Sequence, residues 1–302
     1  MTKWIVASAM LLLAASPLQA QDLTAAQRRD AMDFAMHDAV FTMYHEIGHM
    51  LVGELGLPVL GKEEDAADSL ATILLLTDDA DDDSYNALID SADGWYFNAV
   101  KSTGAGVDDF SYYDEHSLDI QRAYAMVCIM VGKDPEAFAQ TADAYDFNQD
   151  RRDNCANTFG QAANAWVTLL EPHERVKKPG AKISVIYDDA GEYGVFADAL
   201  KSRQVLERAA ELIMTSYVLP GPVTFRAKQC QEANAYYSAY DSEVTYCYEL
   251  AADMFGLYVN DIMNAGEDMT VASDDGSPAR VKPVAPKDEL SGRWRDGTPA
   301  PN

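Results

Sequence analysis

Residues 37–72 read HDAVFTMYHEIGHMLVGELGLPVLGKEEDAADSLAT, and this stretch predicts two helices packed side by side. From residue 22 to residue 55, Ala, Met, Phe and Leu recur every three or four positions, which is the spacing of a helix. Gly56 and Pro58 end the pattern, and Asp22 is the predicted N-cap. A second helix is predicted over residues 63–76. The short loop between the two allows an antiparallel return, so that the helices face each other.

The motif HEIGH places two imidazoles four residues apart, on one face of the first helix. His45 and His49 can therefore share one metal ion, and zinc favours imidazole nitrogen in sites that keep a position open for water. Glu46 lies next to them, where its carboxylate can act as general base on a metal-activated water. The alternative is a helix whose histidines are ordinary satisfied polar groups. Burying two imidazoles and a carboxylate without a partner is costly, which favours a metal.

The acidic start of the second helix can supply the third ligand. Glu64 and Asp68 are four residues apart and share a helical face, so Glu64 can complete a His₂Glu site while Asp68 accepts the free N–H of a ligand histidine. Glu63 has no such acidic partner one turn on, and Asp65 points away from this face, so both are predicted to lie at the surface. The alternative is the acidic first turn of an ordinary helix.

These residues resemble a known group of enzymes. HEIGH followed by EDAAD is similar to the gluzincin metallopeptidases, the clan of thermolysin and of the HtpX type, which use HExxH and a Glu on a following helix. The resemblance implies a zincin-like fold, one zinc ion, Glu64 as ligand and Asp68 behind the histidine. The wider stretch resembles a bacterial family of metallopeptidases of unknown function, whose further stretches DEHSLDIQR (residues 114–122) and NAYY…CYEL (residues 234–250) are both present.

The stretch DEHSLDIQR supplies a second candidate catalytic residue. A similar His…Arg spacing follows the zinc helices in HtpX-type proteases, which implies that His116 donates a hydrogen bond to the oxyanion, with Arg122 holding Asp119 or Glu115. The alternative is a helix N-terminus in which His116 is exposed and Arg122 forms a local pair with Asp119.

The stretch NAYY resembles the edge strand along which gluzincins lay an extended substrate. Asn234, Ala235 and Tyr236 are therefore predicted to line the cleft, although this strand follows HExxH instead of preceding it, so the order is permuted. An ordinary Tyr-rich strand is the alternative. A second Glu-x-x-x-Asp pair, Glu249 and Asp253, has no histidine neighbour and is predicted to be structural.

The remaining periodicities predict an α+β fold that is mostly helical, with a small sheet supplied by the C-terminal third. Further helices are predicted over residues 85–102, 117–131, 135–144, 153–171, 192–218 and 242–262, and strands over residues 182–189, 223–229 and 233–240. A single domain is expected over residues 21–263: a helical part with the zinc site (21–176) and a sheet-containing part (181–263). The polar residues 264–302 are predicted to be a disordered tail.

Residues 1–20 have a basic start, a short apolar run and a small-residue exit, the pattern of a cleaved secretory signal peptide. A periplasmic or secreted location follows, and an even number of cysteines then indicates disulfides. Three pairings are possible, and the near ones are favoured: Cys128 with Cys155 and Cys230 with Cys247.

The chain carries a formal net charge of −26, which argues against nucleic acids and anionic membranes as partners. No stretch after the signal peptide is long enough and apolar enough to span a membrane. The sequence therefore predicts an exported zinc metallopeptidase that acts on a peptide or protein. The alternative is a zinc-binding periplasmic binding or scaffold protein without turnover.

Overall fold

The computed structural model describes residues 23–101, 114–175, 182–263, 270–272 and 278–280. The predicted signal peptide lies outside these residues. Of the predicted tail, two short strands are described, β5 (Thr270–Ala272) and β6 (Pro278–Arg280), which pair in antiparallel fashion. Among the described residues, no helix combines the length and the hydropathy needed to cross a bilayer.

The first helix, α1 (Ala25–Leu55), is the centre of the fold. Its N-cap is Thr24, whose side chain accepts a hydrogen bond from the backbone N–H of Gln27, so the prediction that Asp22 is the cap is wrong. Gly56, with φ of 62°, ends the helix in the left-handed conformation that glycine adopts without strain. Apolar residues are buried on most sides of α1, as expected of a helix that other elements surround.

Other helices follow α1 in an order close to the one predicted. They are α2 (Glu63–Thr77), α3 (Asp82–Lys101), α4 (Asp119–Lys133), α5 (Ala139–Ala144), α6 (Gln149–Leu170), α7 (Gly194–Ser202), α8 (Val205–Ser216) and α9 (Tyr248–Leu257). Of these, α2, α3, α8 and α9 pack directly against α1. The single helix predicted over residues 192–218 is wrong, because the chain breaks between α7 and α8 at Gln204, which has a φ of 54°.

The second half contributes a four-stranded mixed sheet. Its strands are β1 (Ile183–Tyr187), β2 (Val223–Lys228), β3 (Ala235–Ser238) and β4 (Glu243–Cys247), in the spatial order β1-β2-β4-β3. β1, β2 and β4 are parallel, and β3 runs antiparallel to β4 at one edge of the sheet. The mostly helical α+β class is thereby confirmed.

The helix predicted over residues 242–262 is only half right, because its first part is β4. This strand lies inside the sheet and is buried along most of its length, so its Val, Thr and Tyr side chains pack on both faces. Disulfides join Cys128 to Cys155 and Cys230 to Cys247, the two pairs favoured from the sequence. The second of these bonds ties the end of β4 to the loop after β2.

Candidate metal centre

The candidate site forms where α1 and α2 touch most closely. A Cβ atom on Gly48 would lie 2.9 Å from the Cα of Ala67, so only glycine allows this separation of the two backbones. Gly48 lies between the two histidines of HEIGH, and Ala67 lies one turn after Glu64. The small residues at the contact therefore bring the imidazoles of α1 opposite the first turn of α2.

Three side-chain atoms converge at this contact. Nε2 of His45 lies 3.2 Å from Nε2 of His49 and 3.1 Å from Oε2 of Glu64, and Nε2 of His49 lies 3.4 Å from the same oxygen. A tetrahedral zinc ion bound at its usual distances of about 2.0–2.2 Å keeps its ligand atoms about 3.3 Å apart. The donor types and their spacing thus fit a metal ion. Among the described residues, His45, His49 and Glu64 form the one group of possible ligands that converges in this way.

The Nδ1 atom of each imidazole forms a hydrogen bond with a carboxylate. Nδ1 of His45 lies 2.8 Å from Oδ1 of Asp68, and Nδ1 of His49 lies 2.8 Å from Oε1 of Glu63. These bonds orient both rings so that the Nε2 atoms face Glu64. Glu63, which the sequence predicts to be a surface residue, is half exposed but contacts the site through this bond. The sequence signal that could have indicated this contact is the position of Glu63 at the first residue of α2, next to Glu64.

Arg122 contacts Asp68, and this pairing overturns a prediction. Its Nε and one terminal nitrogen lie 2.7 and 2.8 Å from the two oxygens of Asp68, so the predicted partners, Asp119 or Glu115, are wrong. Both Arg122 and Asp68 are buried, and the guanidinium lies 3.7 Å above the ring centre of Trp95. Asp68 therefore links the histidine of α1 to the arginine of α4.

Charge around the site is strongly negative. Burial lowers the pKa of His45, but hydrogen bonds to Asp68 and Glu64 outweigh this effect and raise it to about 9. Burial acts to raise the pKa of Glu64, but His45 and His49 hold it well below its ordinary value. Carboxylates outnumber the available cations at the point where the imidazoles converge, which is the environment that a divalent cation stabilises.

Glu46 is buried beside His45 and lies next to the edge strand β3. Its carboxylate accepts a hydrogen bond from the backbone N–H of Tyr237, while burial raises its pKa above the ordinary value. The carbonyl of Asn234 accepts a hydrogen bond from the N–H of Cys247. In an antiparallel pair, successive residues direct their main-chain groups alternately towards and away from the partner strand, so those of Ala235 and Tyr237 point away from β4. Tyr237 therefore shares the free edge with Ala235, whereas Tyr236, which the sequence predicts to line the cleft, bonds towards β4.

His116 lies on the other side of Glu64. Its Nε2 is 2.9 Å from Oε2 of Glu64, its side chain is half exposed, and its Nδ1 is 3.2 Å from Asp114. The segment is anchored to the beginning of α2, because Lys62 donates to the carbonyl of His116 and Ser117 donates to Asp65. Asp65, predicted to be a surface residue, is exposed and forms one of these anchors.

A cavity of about 270 Å³ opens next to His45 and Glu46. Parts of α1, α3, α4, α9 and the segment before β3 form its walls. Its lining includes Asp38, Thr42, Trp95, Arg122, Ala235 and Asp253.

Comparison with known proteins places the chain in a family. No curated protein and no solved structure matches it. A family profile described as "Putative metallopeptidase" does match, over residues 8–170 and 188–274, which confirms the resemblance to a metallopeptidase family that the sequence predicts. Because these ranges include the candidate metal centre and most of the chain, the protein belongs to this family, DUF4344.

Proposed function

We propose that the protein is an exported, zinc-dependent metallopeptidase of the gluzincin type, which hydrolyses peptide bonds. The observation that carries the proposal is the convergence of His45, His49 and Glu64, with donor atoms 3.1–3.4 Å apart, beside a buried carboxylate and a free strand edge. A purely structural metal site would not need Glu46 at the mouth of a cavity.

His45, His49 and Glu64 hold the zinc ion, and Asp68 keeps the His45 ring in the required orientation. Zinc bound there would supply a Lewis acid for the peptide carbonyl and would make a water molecule more acidic. Glu46 takes up the proton of that water and passes it to the leaving amine. Burial raises the pKa of Glu46 above its ordinary value, which favours the uptake of a proton by this carboxylate.

The peptide substrate adds a strand to the free edge of β3, where Ala235 offers main-chain groups that do not bond to β4. The N–H of Ala235 bonds to the side chain of Asn234 at 2.9 Å, and a substrate carbonyl takes over this donor. His116 donates to the oxyanion that forms during hydrolysis, which its position beside Glu64 supports.

Export to the periplasm or the medium is part of the proposal. The N-terminal sequence has the pattern of a signal peptide, and the two disulfides suit an oxidising compartment.

The first test is the metal content of the mature protein. We expect about one zinc ion per chain by mass spectrometry of the metal. His45→Ala and Glu64→Ala should each abolish binding, whereas His173→Ala, a matched histidine substitution just after α6, should leave it unchanged. Metal content that survives both ligand substitutions would refute the ligand assignment.

The second test separates a peptidase from a zinc-binding protein without turnover. The wild-type protein and the Glu46→Gln variant are incubated with an unbiased peptide library, and the cleaved bonds are identified by mass spectrometry. We expect Glu46→Gln to retain zinc and to lose hydrolysis by a factor of at least about 10². Equal hydrolysis by both proteins would contradict the role of Glu46, and no cleavage by either would favour the binding protein.

A further inference from the structure

The cavity beside His45 and Glu46 also reaches Asp38. Asp38 lies seven residues before His45 on α1, so the two side chains share a helical face about 10 Å apart along the axis. Both Asp38 and His45 line the cavity, and between them on α1 its wall is formed by Phe41 and Thr42. A group bound at the metal centre and a group bound at Asp38 therefore occupy one continuous space.

Asp38 is a buried carboxylate with little hydrogen bonding. Its exposed fraction is 6%, and within the described chain its one hydrogen bond is a long one, 3.4 Å from the hydroxyl of Thr42. A carboxylate can accept about four hydrogen bonds, so most of its capacity faces the cavity unused. The indole nitrogen of Trp95, which also lines the cavity, is buried without a partner among the described residues. Asp38 thus offers unused acceptor capacity to a ligand in this cavity.

The charge at this end is negative. Burial is the main cause that raises the pKa of Asp38 to about 7; the carboxylates of Asp253 and Asp90 act in the same direction, and Thr42 and Arg122 act against it. The cation nearby, Arg122, already forms two hydrogen bonds with Asp68, which balance its charge. Asp253 lines the same cavity from α9, although the sequence predicts it to be merely structural. A cationic group bound in the cavity would stabilise the ionised form of Asp38, which burial disfavours.

We propose that this cavity is a specificity pocket in which Asp38 and Asp253 bind a cationic group of the peptide substrate, an ammonium or guanidinium, close to the cleaved bond. This inference rests on the proposed peptidase function. A lysine side chain reaches about 6 Å from its Cα to its nitrogen, which is more than half of the axial separation of about 10 Å between His45 and Asp38. The formal charge of −26 on the chain also attracts cationic peptides.

Two sources provide such a cation: a Lys or Arg side chain, or the free N-terminus of the peptide. The experiment uses a peptide that the library digest identifies as cleaved, with both ends blocked and either lysine or norleucine next to the cleaved bond. A third peptide carries norleucine and a free N-terminal amine at that position. The value of kcat/KM is measured for each peptide, and binding to the Glu46→Gln variant is measured by calorimetry.

We expect the wild-type protein to prefer one of the two cationic peptides over the blocked norleucine peptide by about tenfold or more, in both kcat/KM and affinity. Asp38→Asn should reduce this ratio to less than about twofold, and Asp253→Asn, at a more exposed position, should reduce it partly. Asp33→Asn is the matched control, because Asp33 lies on the same helix and pairs with Arg203. It should leave the ratio unchanged.

The peptide that is preferred identifies the source of the cation. Equal kcat/KM and equal affinity for all three peptides would refute the proposal that the pocket binds a cation. A preference that persists in Asp38→Asn would refute it as well. Binding to Glu46→Gln requires no turnover, so the pocket can be judged even if the wild-type protein cleaves nothing. If the wild-type protein cleaves nothing, binding is measured with a blocked peptide of arbitrary sequence that carries either lysine or norleucine. Tighter binding of the lysine peptide then supports the pocket, although the peptidase function is refuted.

Discussion

Replacing Asp68 by Asn tests the centre of the site without a change in volume. Asp68 contacts His45 at 2.8 Å and Arg122 at 2.7 and 2.8 Å, and all three residues are buried. The amide of the substituted side chain can still fill the same space, but it cannot neutralise Arg122. It also cannot supply two charged oxygens to a guanidinium and an imidazole.

The expected loss of stability follows from the pKa of Asp68. Burial acts to raise this pKa, but the hydrogen bonds from Arg122 and His45 outweigh it and lower it from 3.8 to about 2. Such a difference corresponds to about 2.4 kcal/mol in the free energy of unfolding at neutral pH. The variant also leaves a buried arginine without its partner, which raises the expected cost to about 3–5 kcal/mol.

The pH dependence has a definite sign. Because the folded-state pKa lies below that of the unfolded chain, Asp68 contributes its stability above about pH 4 and loses it as the pH falls towards about 2. The difference between wild type and Asp68→Asn should therefore be largest at neutral pH and should narrow below about pH 4.

The assay is urea unfolding followed by circular dichroism, with a chelator present so that bound metal does not contribute to stability. Asp65→Asn is the matched control, because Asp65 is exposed on the same helix and accepts one hydrogen bond from Ser117. It should change the free energy of unfolding by less than about 0.5 kcal/mol. Equal stability of wild type and Asp68→Asn at pH 7, or a difference that stays constant down to pH 2, would refute this reasoning.

Three other predictions concern the surroundings of the site. Gly48→Ala should destabilise the protein by about 1–3 kcal/mol and weaken zinc binding, measured by thermal unfolding and metal titration, because the new Cβ meets Ala67 at 2.9–3.0 Å. Replacing Cys128 and Cys155 by Ser should cost about 3.5 kcal/mol in unfolding free energy, since the bond closes a separation of 27 residues; equal melting temperatures with and without the bond would contradict this. For Asp38, whose folded pKa of about 7 exceeds its ordinary 3.8, the wild type should lose stability as pH rises from about 4 to about 7, by up to about 4 kcal/mol. Asp38→Asn should remove that loss, which melting curves across the pH range will check.

The helical half of the fold could be predicted because its signals are local. His45 and His49 share a face, and so do Glu64 and Asp68, through the four-residue spacing that any helix imposes. The strand β4 could not be predicted in this way. Its buried residues run straight into α9 with no glycine or proline between them, so periodicity alone does not separate a buried strand from a helix.

The contacts that involve distant parts of the chain were the hardest to predict. Asp119 lies one turn before Arg122 on the same helix, and local spacing favours a pair between the two. In the folded protein it points into the contact between α4 and α2 and bonds to Asp68, 54 residues away. A buried carboxylate that also holds His45 gains more from a bidentate partner than an exposed one does, so tertiary packing decides the pairing.

The edge strand β3 follows HEIGH by about 190 residues in the sequence, yet it contacts the helix that carries this motif. Tyr237 packs on Gly53, where a Cβ would approach its ring to 3.0 Å, and its hydroxyl donates to Glu54 at 2.7 Å. These contacts lie one to two turns after HEIGH on the same helix, and they place the N–H of Tyr237 on Glu46. A strand that follows the HEIGH helix in the sequence can therefore border it in space, because the helix offers a glycine for the ring and an acceptor for the hydroxyl. The contact between β3 and α1 therefore depends less on the order of the two elements in the sequence than on this small surface of α1. The contact forms when the sheet folds back onto the first helix.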